Sequence, residues 1–325
     1  MTPILSNFSF LPLNANIADF KASHISAGKL LCVTYDVPFK LFISNDYGET
    51  WQEIQNPILS GSYPRIRISD VDDQIIFISS SQSIYRSVDG GYNWDSVTPS
   101  SNLTGWQNVS IKGNTVVVSR ADNLSFQATL FKSIDLGDTW TDITPSNTYF
   151  GLGLLINDLD ANNIFAHGAY KYDQIGNTIY IKEYLYVSHD GGLSFDQINP
   201  CRNPPPNPPG YEICYAQYHS FFVDKHSGNV FAASNSGLYI SQDKGLTWIH
   251  VPSLSESYVP DVIIVKNIAF KSGYELKVSY DNLNSWESIN VYNEGNLVES
   301  RRLDFSGSFV YFSSYYGLYR AEIYN

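Results

Sequence analysis

The residues that could do chemistry in this chain are carboxylates, arginines and aromatic side chains in the polar stretches between short apolar runs. Glu212, Asp261 and Glu299 are carboxylates of the kind that cleave glycosidic bonds when two of them face each other about 5–10 Å apart. Aromatic faces beside arginine and tyrosine donors suit a sugar, which offers an apolar C–H face and a rim of hydroxyl groups. Further carboxylate candidates are Asp36, Asp122 and Glu183. Which chemistry the chain supports depends on the elements that position these side chains.

An eight-residue motif, Ser-x-Asp-x-Gly-x-Thr-Trp, recurs along the whole chain. It occupies residues 44–51, 87–94, 133–140 and 241–248, with looser copies at 188–195 and 279–286. A short Asp side chain can clamp a tight turn, Gly accepts a positive φ, and the closing aromatic supplies a large apolar surface. The aspartates of the six copies are Asp46, Asp89, Asp135, Asp190, Asp243 and Asp281. Their spacing of 38 to 55 residues predicts one structural unit repeated six times.

The motif resembles the Asp-box, or BNR, repeat of β-propellers, which is found in sialidases, xyloglucanases, sortilin-type receptors and a photosystem II assembly factor. The resemblance covers nearly the whole chain and implies a fold, not an activity. In that family the box lies on the hairpin between the third and fourth strands of a blade, on the face opposite the usual binding site. We therefore expect the six aspartates to be structural.

The resemblance implies an all-β chain in which residues 1–325 form a single seven-bladed β-propeller domain. Six blades come from the six repeats, and residues 301–305, 309–313 and 317–321 read as three strands of a seventh. The missing outer strand is expected from the N-terminus, at about residues 7–12. Pairing the two termini would close the ring and remove an open strand edge.

In such a fold the fourth-to-first connections and the second-to-third hairpins surround the channel mouth, where ligands normally bind. Trp106 is the only tryptophan outside the six motifs, so it is the leading aromatic candidate. The predicted ligand-binding residues are Trp106, Arg65, Tyr149, Tyr218, His219, Tyr258 and Arg302.

These residues favour a non-catalytic binding propeller for a glycan or a glycosylated surface. A sialidase is disfavoured because Tyr63-Pro64-Arg65-Ile66-Arg67 only scrambles the Arg-Ile-Pro signature and follows the first box instead of preceding it. Xyloglucanases place their carboxylates between two propellers, and this chain has one. Two alternatives stay open: a glycoside hydrolase with an unidentified carboxylate pair, and a scaffold that binds another protein.

Composition limits the partners. A formal charge of −12 argues against nucleic acid, whose affinity comes from Lys and Arg on phosphates. No apolar run approaches the ~18 residues of a transmembrane helix. The first residues lack a basic and apolar leader pattern, so the export route stays open, although an extracellular or cell-surface location is favoured.

The three cysteines predict one possible bridge and no metal. Cys201 and Cys214 flank a proline-rich loop and are expected within disulfide reach. Cys32 lies in an apolar run and reads as a buried thiol. Two cysteines without a nearby His pair fall short of a four-ligand zinc site, so we expect neither metal nor cofactor.

Overall fold

Seven antiparallel sheets follow one another along the chain, and each is one blade of a β-propeller. In blades 1 to 6 the four strands lie in sequence order, with the first innermost, as the repeats predict. The computed structural model describes residues 4–13, 15–36, 38–57, 64–100, 105–121, 128–145, 153–157, 160–175, 178–198, 218–254 and 258–324.

The first three blades have short outer strands. Blade 1 contains Ile17–Ala22, Leu30–Thr34, Leu41–Ser44 and Gln52–Ile54. Blade 2 contains Arg65–Ile68, Ile76–Ser79, Ile84–Ser87 and Asp95–Ser96. Blade 3 contains Trp106–Lys112, Thr115–Ala121, Ala128–Ser133 and Thr141–Asp142.

Blade 4 differs from its neighbours because its middle hairpin is much longer. Blade 4 contains Gly153–Asn157, Asp160–Ile175, Thr178–Ser188 and Asp196–Ile198. Blade 5 contains Tyr218–Val223, Val230–Ser234, Gly237–Ser241 and Ile249–His250. Blade 6 contains Val262–Val265, Ile268–Lys271, Leu276–Ser279 and Glu287–Ile289. The chain adds a short 3-10 helix at Pro252–Leu254 and a small hairpin of Tyr292–Asn293 with Asn296–Leu297.

Blade 7 is built from both ends of the chain. Its first three strands are Leu303–Ser306, Phe309–Ser313 and Leu318–Tyr324. Ser9–Phe10 pairs with Arg320 and Tyr319, so the predicted closure by the N-terminal strand is confirmed. A second short strand that the sequence did not predict, Ile4–Leu5, pairs with Tyr324 and Ile323.

The core lies between the blades. The second strands of blades 1, 2, 5 and 6 are buried along their whole length because a neighbouring blade covers each face. Cys32 lies in one of them as a buried free thiol, as predicted, and burial raises its pKa. The innermost strand of each blade contacts that of the next, and that of blade 7 contacts that of blade 1, so the ring is closed.

Aspartates on or beside the innermost strands link neighbouring blades. Asp19 accepts the Ile66 N–H of blade 2, and Asp304 accepts the Ala22 N–H of blade 1, each at 3.0 Å. Burial alone would raise the pKa of Asp304, but Lys21 and His24 beside it hold that pKa well below its usual range. A buried carboxylate that is fully hydrogen-bonded in this way fixes the position of the adjacent strand.

All six repeated motifs form a hydrogen-bonded turn between the third and fourth strands. In blade 3 the buried Ser133 hydroxyl donates to Asp135 and accepts the Gly137 N–H, both at 2.7 Å. Asp135 then accepts the Thr139 N–H at 2.9 Å and its hydroxyl at 2.6 Å. These bonds, led by the Thr139 hydroxyl, lower the pKa of Asp135 to about 2. In the copy that lacks glycine, Leu283 takes the equivalent position with φ 70°.

Replacing Leu11 tests how much the stability of the ring depends on the N-terminal segment. Its side chain is 2% exposed and belongs to the core cluster that contains Leu318 and Tyr311, and its N–H donates to the Leu318 carbonyl at 2.9 Å. We expect Leu11→Ala to lower the free energy of unfolding by about 2–5 kcal/mol, as for other buried leucines. The matched control, Ser9→Ala in the same segment, removes an exposed hydroxyl and its long surface hydrogen bond to the Arg320 carbonyl at 3.3 Å, and should cost less than about 0.5 kcal/mol. Equal denaturant midpoints for both variants would contradict closure by this segment.

Candidate binding site at the channel mouth

The ends at which the innermost strands begin define one face of the ring, which we call the mouth face. Because each of blades 1 to 6 repeats the same strand order, their innermost strands start on the face opposite the six repeated turns. Arg65 opens the innermost strand of blade 2, His219 is the second residue of that of blade 5, and Arg302 immediately precedes that of blade 7. The fold therefore brings three predicted site residues to the same end of the channel.

Each mouth arginine is positioned by an aspartate of the preceding blade. Asp19 binds the N–H of Ile66, the residue after Arg65, at 3.0 Å. Asp261 binds the N–H of Leu303, the residue after Arg302, at 3.0 Å. The two arginines thus occupy equivalent, clamped backbone positions in blades 2 and 7.

The guanidinium groups of these arginines form no ion pair with the described residues, although the charge of Asp19 acts on Arg65 at longer range. No described carboxylate lies within 4 Å of Arg65 or Arg302, whereas the neighbouring Arg67 contacts Asp19 at 3.4 Å. Burial, and next the positive charge of Arg302, lower the pKa of Arg65 to about 10. The like charge of Arg302 thus acts against the protonated Arg65, and the charge of Asp19 opposes that effect.

His219 reaches the mouth through a β-bulge. The pairing register of blade 5 shifts between Tyr218 and Ser220, which leaves His219 as the extra residue. Bulges of this kind redirect a side chain and are frequent beside functional sites. Burial, and then the charge of Arg302, lower the pKa of His219 to about 4, so the imidazole is neutral at pH 7. Its buried Nε2 has no hydrogen-bond partner in the described part of the chain.

Exposed tyrosines form a rim beside these groups. The Tyr258 ring meets the His219 ring edge to face at 5.2 Å and lies 5.7 Å from the Tyr274 ring. Tyr258 is 37% exposed and Tyr274 is 70% exposed. In blade 7 the Arg301 guanidinium lies over the Tyr315 ring at 4.4 Å. Rings with one apolar face and a hydroxyl tip suit contact with a sugar or a protein.

Gly273 permits the close approach of Tyr258 to blade 6. A Cβ at this position would lie 2.9 Å from the Tyr258 carbonyl oxygen and 3.4 Å from the Lys271 Nζ, and its φ of 142° disfavours other residues. Burial, and then the charge of Lys277, lower the pKa of Lys271 to about 8. This amine adds a further basic group near the rim.

The structure corrects two of the predicted aromatic contacts. Trp106 is 1% exposed and lies in the core cluster that contains Phe77 and Val109, so its ring is a core element and not a ligand platform. Tyr218 is 3% exposed and packs on Phe221 and Tyr239, because the bulge turns His219 and not Tyr218 toward the mouth. Tyr149 lies outside the described residues, as do Cys201 and Cys214.

The sequence analysis missed Tyr274 and Tyr315, although the signal was present. Both lie in second-to-third hairpins, Tyr274 after Lys271 in blade 6 and Tyr315 after Ser313 in blade 7. These hairpins share the mouth face with the fourth-to-first connections. The predicted aromatic candidates all come from those connections and from the strand starts that follow them.

The candidate carboxylates among the described residues differ in their surroundings. Both Asp261 oxygens accept backbone N–H groups, of Val262 and Leu303, each at 3.0 Å. Glu299 remains near the rim, where burial, and then its charge, raise the pKa of Tyr258. Asp36 is exposed, and Glu183 pairs through its backbone with Tyr170 in the long hairpin of blade 4. Glu212 and Asp122 lie outside the described residues.

The described residues contain no group of three or more His, Cys, Asp or Glu side chains placed to hold a metal ion. Within the same ranges, no helix has the length and apolar character that a membrane crossing requires.

Comparisons with known proteins bear on the fold. No family model and no curated protein sequence matches the chain. Among solved structures, YCF48 bound to D1 peptide has a TM-score of 0.67 at 15% identity, covering 100% of this chain and 96% of its own. Catalytically inactive virginiamycin B lyase from Staphylococcus aureus with quinupristin has a TM-score of 0.70 at 11% identity, and the match covers 98% of this chain and 99% of the lyase chain. The Niastella koreensis GH74 enzyme has a TM-score of 0.51 at 17% identity, and the match covers 94% of this chain but only 53% of the GH74 chain. At these identities the likeness shows the β-propeller fold alone.

A pair of aromatic substitutions tests the assignment of core and rim. Trp106→Ala should lower the free energy of unfolding by about 3–5 kcal/mol, because it empties a buried site between blades. Tyr274→Ala, at an exposed rim position, should stay within about 0.5 kcal/mol of wild type. Denaturant unfolding measures both, and a fully stable Trp106→Ala protein would return that ring to the list of candidate ligand contacts.

Proposed function

We propose that this chain is a non-catalytic binding propeller that holds a glycan, or a glycosylated surface, at its mouth face. The observation that carries the proposal is the adjacency of the exposed Tyr258 and Tyr274 rings to His219 and the unpaired Arg302. Tyrosine faces can stack on sugar C–H surfaces, while guanidinium and imidazole nitrogens can bind ring substituents. An extracellular location would suit such a ligand.

The state of the described carboxylates supports binding over hydrolysis. Glycoside hydrolysis requires two carboxyl groups on opposite sides of the scissile bond. Asp261 is occupied by two backbone N–H groups, which makes it a poor catalytic acid or nucleophile, while Glu299 and the exposed Asp36 remain as carboxylates of the described mouth face. A glycoside hydrolase remains the rival hypothesis, since Glu212 and Asp122 belong to the same predicted face.

We further propose that the six repeated turns are Asp boxes and that residues 1–325 form one domain. The shared bonding of the turns supports the first point: in every copy the Ser hydroxyl donates to the Asp carboxylate, as Ser241 does to Asp243 at 2.8 Å. Their position on the face opposite the mouth agrees with a structural role for all six aspartates.

A protein partner is the second candidate. Exposed tyrosines are concentrated on the mouth side of blades 6 and 7, and Tyr and Arg are enriched in protein interfaces. The structurally similar YCF48 is found with a D1 peptide. These two observations make a scaffold the alternative when no glycan binds.

Glycan-array binding and hydrolysis assays on the same sugars test the proposal. A binding propeller retains a glycan without releasing product. Tyr274→Ala should weaken that binding by about 1–3 kcal/mol, a typical loss for one aromatic anchor. The matched control is Tyr92→Ala, which removes another exposed tyrosine, 58% exposed against 70% for Tyr274, from a repeated turn on the opposite face and should leave affinity unchanged.

Three outcomes would contradict the proposal. Product release would favour the hydrolase, and a silent array would favour the scaffold. Equal losses in the Tyr274 and Tyr92 variants would move the binding site away from the mouth face.

A further inference from the structure

The middle hairpin of blade 4 projects from the mouth face as a two-stranded ribbon, formed by residues 169–175 and 178–184. Its two strands pair in a continuous register that runs from Ala169↔Tyr184 to Ile175↔Thr178. At about 3.3 Å per residue, the ribbon reaches roughly 23 Å beyond the point where the innermost strand of the blade begins. The other described blades have no comparable projection, since their second strands have at most 7 residues.

Both edges of the ribbon are open in the described part of the chain. The innermost strand of blade 4 begins at Gly153, opposite His167, and the outer strand ends at Ile198, opposite Leu185. The backbone groups along the two ribbon edges therefore pair with no other described strand. An isolated two-stranded ribbon is only marginally stable in water, and an open edge is a template for a further strand.

We propose that the channel-side edge of the ribbon, residues 169–175, pairs antiparallel with the same edge of a second copy of this chain. This edge is on the channel side because the same strand pairs there with the innermost strand up to His167. The two ribbons form one four-stranded sheet, which has enough strands for independent stability. Because each ribbon rises from its own mouth face, antiparallel pairing turns the two mouth faces toward each other. The inference concerns assembly and does not depend on which ligand the mouth face binds.

The order of charges along this edge is the main argument for a second copy. Lys171 and Asp173 lie on either side of Tyr172 in the sequence Ala-Tyr-Lys-Tyr-Asp-Gln-Ile. An antiparallel pairing centred on Tyr172 places Lys171 of each copy directly opposite Asp173 of the other, and such opposite-charge pairs stabilise a sheet. A strand of arbitrary sequence lacks this complementarity, whereas a second copy has it by two-fold symmetry.

The pairing within the ribbon favours the same partner. Lys171 is paired with Lys182, and like charges at directly opposite positions destabilise a sheet. The second copy adds its Asp173 to this row of the sheet, next to Lys171. The other face of the four-stranded sheet has Tyr172 and Ile181 of both copies at its centre, because paired residues share a face.

The outer edge of the ribbon, residues 178–184, is a poorer candidate. Its charged residues are Lys182 and Glu183, and one antiparallel register brings them opposite each other in two copies. That register runs into residues 185–187, which already pair with the outer strand of blade 4, so only residues 181–184 remain for the contact. The channel-side edge can pair over its whole length.

Charge reversal tests this register. Sedimentation velocity over a concentration series measures the dimer dissociation constant of the whole protein, and the wild type is expected to dimerise. Asp173→Lys places like charges opposite each other twice in the dimer and should raise that constant at least about tenfold. Combining it with Lys171→Asp restores two opposite-charge pairs and should return the constant to near its wild-type value. The matched control, Lys244→Asp, reverses one charge on an exposed repeated turn of the opposite face and should leave dimerisation unchanged.

A cysteine at the two-fold axis tests the register independently. Position 172 lies opposite itself, and Cα atoms of opposite residues are about 4.5–5.5 Å apart, within the range that a disulfide spans. Tyr172→Cys should therefore form a covalent dimer on mild oxidation, and peptide mass spectrometry should identify the bond between the two 172 positions. Tyr170→Cys is the control that should not form the equivalent bond, because the two 170 positions are roughly 13 Å apart along the strands.

Four results would overturn the proposal. They are a wild-type chain that stays monomeric at every concentration, equal dimerisation of the Asp173→Lys and Lys244→Asp variants, no recovery in the double reversal, and no 172–172 bond in the cysteine variant. Melting temperatures show whether each variant folds. If Asp173→Lys does not fold, Lys171→Asp alone replaces it, since it also places like charges opposite each other and should weaken the dimer to a similar extent.

Discussion

The two ends of the chain meet in blade 7, where the N-terminal strands pair with Leu318–Tyr324 and the carboxylate of Asp304 reaches across to the Ala22 N–H of blade 1. A ring of sheets has no covalent closure, so these hydrogen bonds and the core around Leu11 hold the last blade against the first. Arg302 precedes the strand that carries Asp304. The position of Arg302, a proposed ligand-binding residue, is therefore set by the same contacts that close the fold.

The charged groups on the two faces of the ring are paired differently. On the repeated-turn face, the aspartates accept N–H and hydroxyl groups that keep them ionised, as Asp89 shows with a pKa lowered to about 2 by the Asn93 backbone and side chain. On the mouth face, no described carboxylate lies within 4 Å of Arg65 or Arg302, and the charge of Arg302 acts on the neutral His219. A strongly acidic chain thus carries two arginines that form no ion pair with its described residues, which net charge alone conceals.

The sequence predicted the blades well because their signal is repeated. Six turns with the same Ser and Asp positions, five of them with Gly, indicate the third and fourth strands of six blades, and the remaining short apolar runs then supply the first and second strands. The N-terminal strand of blade 7 followed from the same template. The extra pairing of Ile4–Leu5 carried no comparable signal, since two residues show no periodicity.

The site was less predictable because it depends on the direction of single side chains. Trp106 and His219 both lie near the start of an innermost strand, and each of these strands contains a bulge, between Trp106 and Asn108 and between Tyr218 and Ser220. A bulge shifts the two-residue alternation by one position, so sequence pattern cannot tell which residue faces the channel. The unpaired state of Arg302 and the occupied state of Asp261 likewise depend on neighbours from other blades.

The pKa of His219, read from the imidazole resonances by NMR, tests the central claim most directly. Of the six histidines, His219→Gln identifies the relevant signal. Burial, Arg302 and the packed Tyr258 surround the ring, so the free protein should show a pKa of about 4. Because the charge of Arg302 disfavours the protonated ring, Arg302→Gln should raise this pKa toward 6.5. A pKa near 6.5 in the wild-type protein that Arg302→Gln leaves unchanged would contradict a buried His219 next to Arg302 at the channel mouth.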